Sequence, residues 1–337
     1  MKYRLILLAG FIFFAGCSSK VYEPEKTQPL KLHSKDISNN LSEYTKNTLT
    51  FSTLKLKYVK KKGLLDDGIR VVKVYYDAKG HYLGKFTKIN KDLAVNGNRL
   101  LVISSKKVYK LPYLIYSATK KDGLVAVVFE NGKYGLYDLK NSNMKFTFDG
   151  DSVISVKYMH ASPLFYKDLI LYPMLSGNVA VVDAVHDQFI RTLNISQNQF
   201  NDNVIFLKIV NNQLFMATPS RLILFNPQFL IDYSADIKHI IDYKGYLYIF
   251  TNDGHIIKLD SNLKEIKKIK LPYASFFAPS VCNGYIWTVE RGGYLIRISP
   301  DLNITVYTGN NFDTTSAGML KLQGCKIYND NKVFMIE

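Results

Sequence analysis

The chain has 337 residues, 47% of them hydrophobic and 21% charged, with a formal net charge of +16. That balance is globular and excludes an intrinsically disordered polypeptide. The length suits one large domain or two small ones, and the basic excess favours anionic partners such as lipid headgroups or acidic polymers.

Residues 1–16 start with Lys2 and Arg4, continue through an apolar run from Leu5 to Phe14, and end on the small pair Ala15-Gly16. The run is shorter than the roughly 20 apolar residues that span a bilayer, so it reads as an export signal. The run Phe14-Ala-Gly-Cys17-Ser-Ser19 resembles the signal of bacterial lipoproteins, with Phe14 where that family usually carries Leu. The resemblance implies that residues 1–16 are a lipoprotein signal peptide and that Cys17 becomes the acylated first residue of the mature chain. Ser18, rather than Asp, follows the cysteine, which in that family implies outer-membrane sorting. Acyl chains hold a protein through about 0.8 kcal/mol per buried CH₂, and stable anchoring takes two or more chains. An exported address argues against nucleic acid as a partner, despite the charge.

Residues 17–48 read as an acylated, largely disordered tether. Pro24, Pro29 and the polar runs 36–40 and 43–47 leave little apolar periodicity. The domain proper is expected over 49–337. There the chain becomes a series of paired apolar runs around tight turns. Leu124–Phe129 meets Tyr134–Asp138 across Asn131-Gly132. Leu169–Tyr172 meets Asn178–Asp183 across Ser176-Gly177, and Leu214–Ala217 meets Arg221–Phe225 across Pro219-Ser220. Tyr246–Thr251 meets His255–Asp260, Tyr285–Val289 meets Tyr294–Ile298, and the chain ends on Lys326–Tyr328 with Lys332–Ile336. An earlier pair, Arg70–Tyr76 with His81–Phe86, reads as the first copy.

The residues closing each second run are Asp77, Leu111, Asp138, Asp183, Asn226, Asp260, Ser299 and Ile336. Their steps average about 37 residues, a period that suits a β-propeller of four-stranded blades. A single blade has two apolar faces and can bury neither alone, whereas stacking around an axis covers both. The expected fold is therefore all-β, a single propeller of about seven blades, although the short step after Leu111 also admits six or eight. The final copy stops at its second run, so an N-terminal strand is expected to complete the last blade and close the ring. Closure removes sheet edges that would otherwise pair with other chains.

The run Gly254-His-Ile-Ile-Lys-Leu-Asp260 resembles the pyrroloquinoline-quinone-type propeller repeat, as does Gly177–Asp183 followed by Phe189–Leu193. Together with the lipoprotein start, the architecture resembles the propeller lipoprotein of the bacterial outer-membrane β-barrel assembly machinery. Quinone-binding repeats carry a Thr-Gly-Lys turn and a Trp in each repeat. This chain has Trp287 alone and no such turn, so no cofactor is expected and Trp287 is assigned to packing.

The six histidines, at 33, 81, 160, 186, 239 and 255, show no zinc-ligand spacing. No Gly-x-Ser-x-Gly turn or phosphate-cradling loop is present. No catalytic or metal site is therefore expected, and Asp138, Asp183 and Asp260 read as hairpin caps. Cys282 and Cys325 either pair or stay as buried thiols. Lysines cluster at 55–62 and at 264–270, as a solvated strand edge or as a contact with an anionic membrane. The reading that results is a monomeric, lipid-anchored, non-enzymatic scaffold of the outer membrane. It faces the periplasm and binds envelope proteins, the barrel-assembly machinery among them. The alternative is a surface-exposed ligand-binding or adhesive lipoprotein.

Overall fold

The computed structural model describes residues 20–36, 41–45, 48–51, 54–61, 64–150, 161–196, 202–226, 230–314, 320–329 and 332–337; for 41–73 it describes strand pairing only. The signal peptide, Cys17, Lys62 and His160 lie outside the described residues.

Seven antiparallel sheets follow one another along the chain. The second holds Ile115–Lys121, Leu124–Phe129, Tyr134–Asp138 and Asn143–Phe148. The third runs from Leu164–Tyr166 to Gln188–Asn194 and the fourth from Phe206–Val210 to Leu230–Ser234. The fifth runs from Ile237–Tyr243 to Glu265–Lys270 and the sixth from Ser280–Cys282 to Ile304–Thr308. The seventh holds Leu320–Gln323, Lys326–Asn329 and Lys332–Met335. Its fourth strand is His33–Asp36, paired antiparallel with Lys332–Met335. The expected propeller of seven blades is thus the observed fold, with an N-terminal strand completing the last blade.

Local chemistry explains the hairpins. First and second strands are joined by two consecutive left-handed residues in several sheets: Asp122-Gly123, Lys244-Gly245 and Asn283-Gly284. That is the turn whose twist matches paired strands. Second and third strands turn on a glycine with φ near +85°, as at Gly177 and Gly254. A Cβ on Gly177 would sit 2.1 Å from the Asp202 carbonyl oxygen, and one on Gly254 would sit 2.3 Å from that of Leu271. These turns therefore need glycine twice over, for the backbone angle and for contact with the loop leading to the next sheet.

The second and third strands are apolar on both faces, as in Leu124–Phe129 and Asn178–Asp183. From the second sheet to the sixth, each face meets a neighbouring sheet. Val125, Val127 and Phe129 pack on Leu93, Val95 and Leu100 of the first sheet, while Ala126 and Val128 pack on Ile170 and Tyr172 of the third. Similar buried clusters join each later sheet to the next, through to Trp287 and Val289 against Leu322, Ile327 and Phe334. Full burial of such a side chain is worth about 1.5–3 kcal/mol. Fourth strands are the exposed outer ones, as in Gln188–Asn194 and Glu265–Lys270.

Two expectations need correction. Asp77 does not close a blade of its own. Leu64–Tyr76 and Tyr82–Lys88 instead extend the first sheet, Leu93–Asn96, Arg99–Val102 and Lys107–Lys110, on the side of its first strand, together with three further strands from residue 41 onward. The seven true units close at Leu111 through Ile336. Residues 20–36, expected as part of a tether, are built into the propeller. Gln28–Pro29 adds a parallel strand to the edge of the sixth sheet, and Tyr22 and Leu32 are buried.

Candidate interaction surface

The acids at strand ends act as turn caps. Asp138 accepts the backbone N–H groups of Lys140 and Asn141, and Asp260 accepts those of Asn262 and Lys264. Asp183 accepts those of Val185 and His186 and also meets the His186 ring at 2.9 Å. The hydrogen bond from His186 is the main reason the Asp183 carboxyl titrates low, at about 2, and the same bond raises the His186 imidazole. Asp77 holds His81 in the same way. Asp253 is lowered to about 2 by hydrogen bonds from Thr251 and then His255.

These pairs are local and remain apart. His33 is on the seventh sheet, exposed, 3.8 Å from the Glu337 carboxylate. His239 belongs to the first strand of the fifth sheet, where burial and then Lys238 push its imidazole down to about 3. Among the described residues no group of three or more His, Cys, Asp or Glu could hold a metal ion.

Polar residues buried at sheet ends fix the loops. Asp202 accepts the hydroxyls of Ser196 and Ser220, linking the third and fourth sheets. Glu290 accepts the N–H groups of Ser275 and Gly292, and burial raises its carboxyl. Lys238 donates to the Ser275 hydroxyl, joining the fifth sheet to the same loop. A buried acceptor that loses its donor costs about 1–3 kcal/mol, so these contacts hold the loops as a rigid surface.

Cys282 and Cys325 form a disulfide, with Cα atoms 4.9 Å apart. Both lie beside the turn between first and second strands, one on the sixth sheet and one on the seventh. Their spacing of one repeat puts them at equivalent places on neighbours. Trp287 packs as expected, 4% exposed and stacked on Tyr307, with its indole N–H donating to the Cys282 carbonyl.

The exposed surface carries the features suited to binding. Val185, Phe189 and Ile190 project from the third sheet's outer part, and Tyr113 and Leu114 from the loop before the second sheet. Lys264, Lys267, Lys268 and Lys270 are all exposed on or beside the fifth sheet's outer strand. Lys55 to Lys61 belong to the strand Leu54–Lys61 of the extended first sheet. Sequence reasoning missed the N-terminal segment at this surface: Lys20 lies over the Tyr273 ring, and Tyr22 packs edge-on against Tyr294. Its signal was slight, scattered apolar residues at 21, 22, 30 and 32 amid polar ones.

No family model matches the chain. It is 32% identical over 198 residues to plasminogen-binding protein PgbB of Helicobacter pylori strain J99, and 31% identical over 198 residues to that of strain 26695. Each match covers 58% of this chain and 36% of the relative, so the chain spans about a third of the length of the curated relatives it matches. Among solved structures it resembles BamB from Moraxella catarrhalis, at 13% identity and TM-score 0.57, covering 90% of this chain and 98% of that one. It also resembles the designed protein Ika8, at 13% and 0.56 over 91% of this chain and 98% of that one. The C-terminal WD40 domain of Sif2 follows at 10% and 0.56, over 92% and 98%. At these identities the likeness to the solved structures is one of fold.

Proposed function

We propose that this chain is a non-enzymatic binding propeller of a bacterial envelope, anchored through an acylated Cys17, and that it captures a soluble protein, with plasminogen the first candidate. The observation that carries the reading is the 32% identity over 198 residues to a plasminogen-binding protein. A rigid ring with exposed aromatic, aliphatic and lysine side chains suits that role, because such a surface binds without needing a catalytic constellation. The Cys282–Cys325 disulfide suits an exported protein.

Immobilised full-length protein should bind plasminogen saturably, and intact cells should lose plasminogen capture when the gene is deleted. No binding at micromolar plasminogen overturns the reading. Capture of an external protein also requires an outward-facing propeller, so protease treatment of intact cells should cleave it. Protection from protease would favour the second reading, a periplasm-facing scaffold of the β-barrel assembly machinery, motivated by the lipoprotein-like start joined to a propeller. That role predicts lower outer-membrane porin levels in a deletion strain, and unchanged porins remove it. Absorption spectra and metal analysis of the purified protein should be blank; a bound chromophore or metal would reopen an enzymatic role.

A further inference from the structure

We infer that the propeller rests on the membrane by the rim of its fifth and sixth sheets, with the lysine-rich outer strand Glu265–Lys270 against anionic phospholipid headgroups; this deepens the reading in which Cys17 is acylated. Tyr22 ties the N-terminal segment to this rim. Its side chain is 6% exposed, packed among Phe250, Ala274 and Phe276 of the fifth-to-sixth seam and edge-on to Tyr294 at 5.8 Å. Burial, and then Glu290, raise its hydroxyl to about 12, so it stays a neutral aromatic plug. Lys20 adds a contact over the Tyr273 ring, 5.5 Å from its centroid. The first fixed point of the fold is therefore five residues from Cys17. Five residues span at most about 18 Å even when fully extended. An acyl anchor at Cys17 cannot let the domain stand off the bilayer. It must bring this particular seam down to the headgroups.

The surface that the anchor would bring down has the right chemistry. Tyr273, 54% exposed, lies three residues beyond the outer strand of the fifth sheet. That stretch carries Lys264, Lys267, Lys268 and Lys270, all exposed, and Ile266 at 51% exposure. The acids that face it from the sheets are engaged, while Glu23 and Glu25, next to the plug, are exposed and offset in charge by Lys20 and Lys26. Glu265 accepts the Tyr233 hydroxyl at 2.5 Å, and Asp253 is held by Thr251 and His255, 4.0 Å from the Lys270 ammonium. Asp301 lies 3.5 Å from Lys258, and its backbone carbonyl accepts from Lys267. Val21, 63% exposed beside the plug, adds an apolar contact at the same place. Lysine ammoniums attract anionic headgroups within a Debye length, while exposed Tyr, Val and Ile suit the interface.

The test uses the acylated protein reconstituted in phosphatidylglycerol-containing vesicles, with a fluorophore on Lys268→Cys or, on the second sheet, Lys140→Cys. Both positions are exposed, and the native cysteines 282 and 325 are bonded to each other. Nitroxide-headgroup lipids should quench the label at 268 several-fold more than the label at 140. Changing Lys264, Lys267 and Lys270 to Gln should reduce that ratio. Equal quenching at both positions, or stronger quenching at 140, overturns the orientation. Mass spectrometry of the same sample reads Cys17 independently: an unmodified N-terminus sinks the anchor, whereas uniform quenching of an acylated protein sinks only the orientation. A 268 label that responds equally to soluble polyphosphate, without vesicles, would overturn the assignment to lipid.

Discussion

The seam between the sixth and seventh sheets and the free edge of the first sheet solve opposite problems. At the seam the chain adds material. Gln28–Pro29 lengthens the sixth sheet, His33–Asp36 completes the seventh, and a disulfide ties the two. Asn310 spans the join, accepting the Leu32 N–H on its Oδ1 and donating from Nδ2 to the Leu30 carbonyl. The first sheet, though extended on the side of its first strand, has no outer strand beyond Lys107–Lys110. Its last strand is only Lys107–Lys110, preceded by Lys106, and short lysine-flanked edges resist pairing with other chains. Its face away from the second sheet is covered by its own extension, through a small cluster of Tyr75, Phe86, Ala94 and Leu101. A ring of look-alike sheets therefore tolerates an incomplete unit at one place, provided the place where the chain ends meet is heavily reinforced.

Deleting Tyr328 to Glu337 should unfold the ring. It removes Lys332–Met335, the partner of His33–Asp36, along with buried Phe334 and Ile336. The expected result is cooperative loss of the whole β spectrum in circular dichroism; a folded truncated protein would show that the seam is dispensable. Next in size is Trp287→Ala, expected to cost about 3–5 kcal/mol in denaturant unfolding, because it empties a volume at the centre of the seam cluster. Replacing Cys282 and Cys325 together by Ser should cost about 2–4 kcal/mol, since the bond closes a 43-residue separation in the unfolded chain. Asn310→Ala should cost about 1–3 kcal/mol by leaving the Leu32 N–H without its acceptor. Tyr109→Phe, on the first sheet's edge strand, should stay within about 0.5 kcal/mol.

The smallest effect is a pH dependence outside both regions. Asp183 is depressed, so its contribution is present above the unfolded carboxylate value of about 3.9 and is lost as pH falls through about 2. His186 is raised, so its contribution is full below about 6.5 and is lost as pH rises through its higher folded value. The pair is complete only between those limits. His186 is exposed and Asp183 half-buried, so solvent screens the pair, and His186→Ala should lower the thermal midpoint slightly at pH 5 and not at pH 9.

Much of the ring was legible because two local signals coincide. Leu124–Phe129, Tyr134–Asp138, Arg221–Phe225, Tyr246–Thr251 and Tyr285–Val289 are strands with the bounds read from sequence. In each case an apolar run buried on both faces stops at residues that can only turn. Asp77 misled because its hairpin obeys the same local rules while pairing elsewhere. Residues 20–36 misled for the opposite reason. They are held by edge hydrogen bonds and single side chains, Tyr22 and Leu32, which leave no period. The binding surface was less legible still. The lysines at 264–270 read the same whether they face open solvent or an anchor, and what separates the two is the path of a distant segment. The disulfide was undecided from spacing alone, because equivalent depth on adjacent repeats does not specify reach.

The seventh sheet pairs residues 33–36 with residues 332–335. The first-made strand of that sheet thus waits for the latest-made one. During synthesis residues 33–36 emerge with nothing to bind, and the seventh sheet cannot be completed until residues 332–335 are made. Such long-range pairing makes folding slow and late. The seventh sheet therefore stays open until its last strand is made, and then locks in one step.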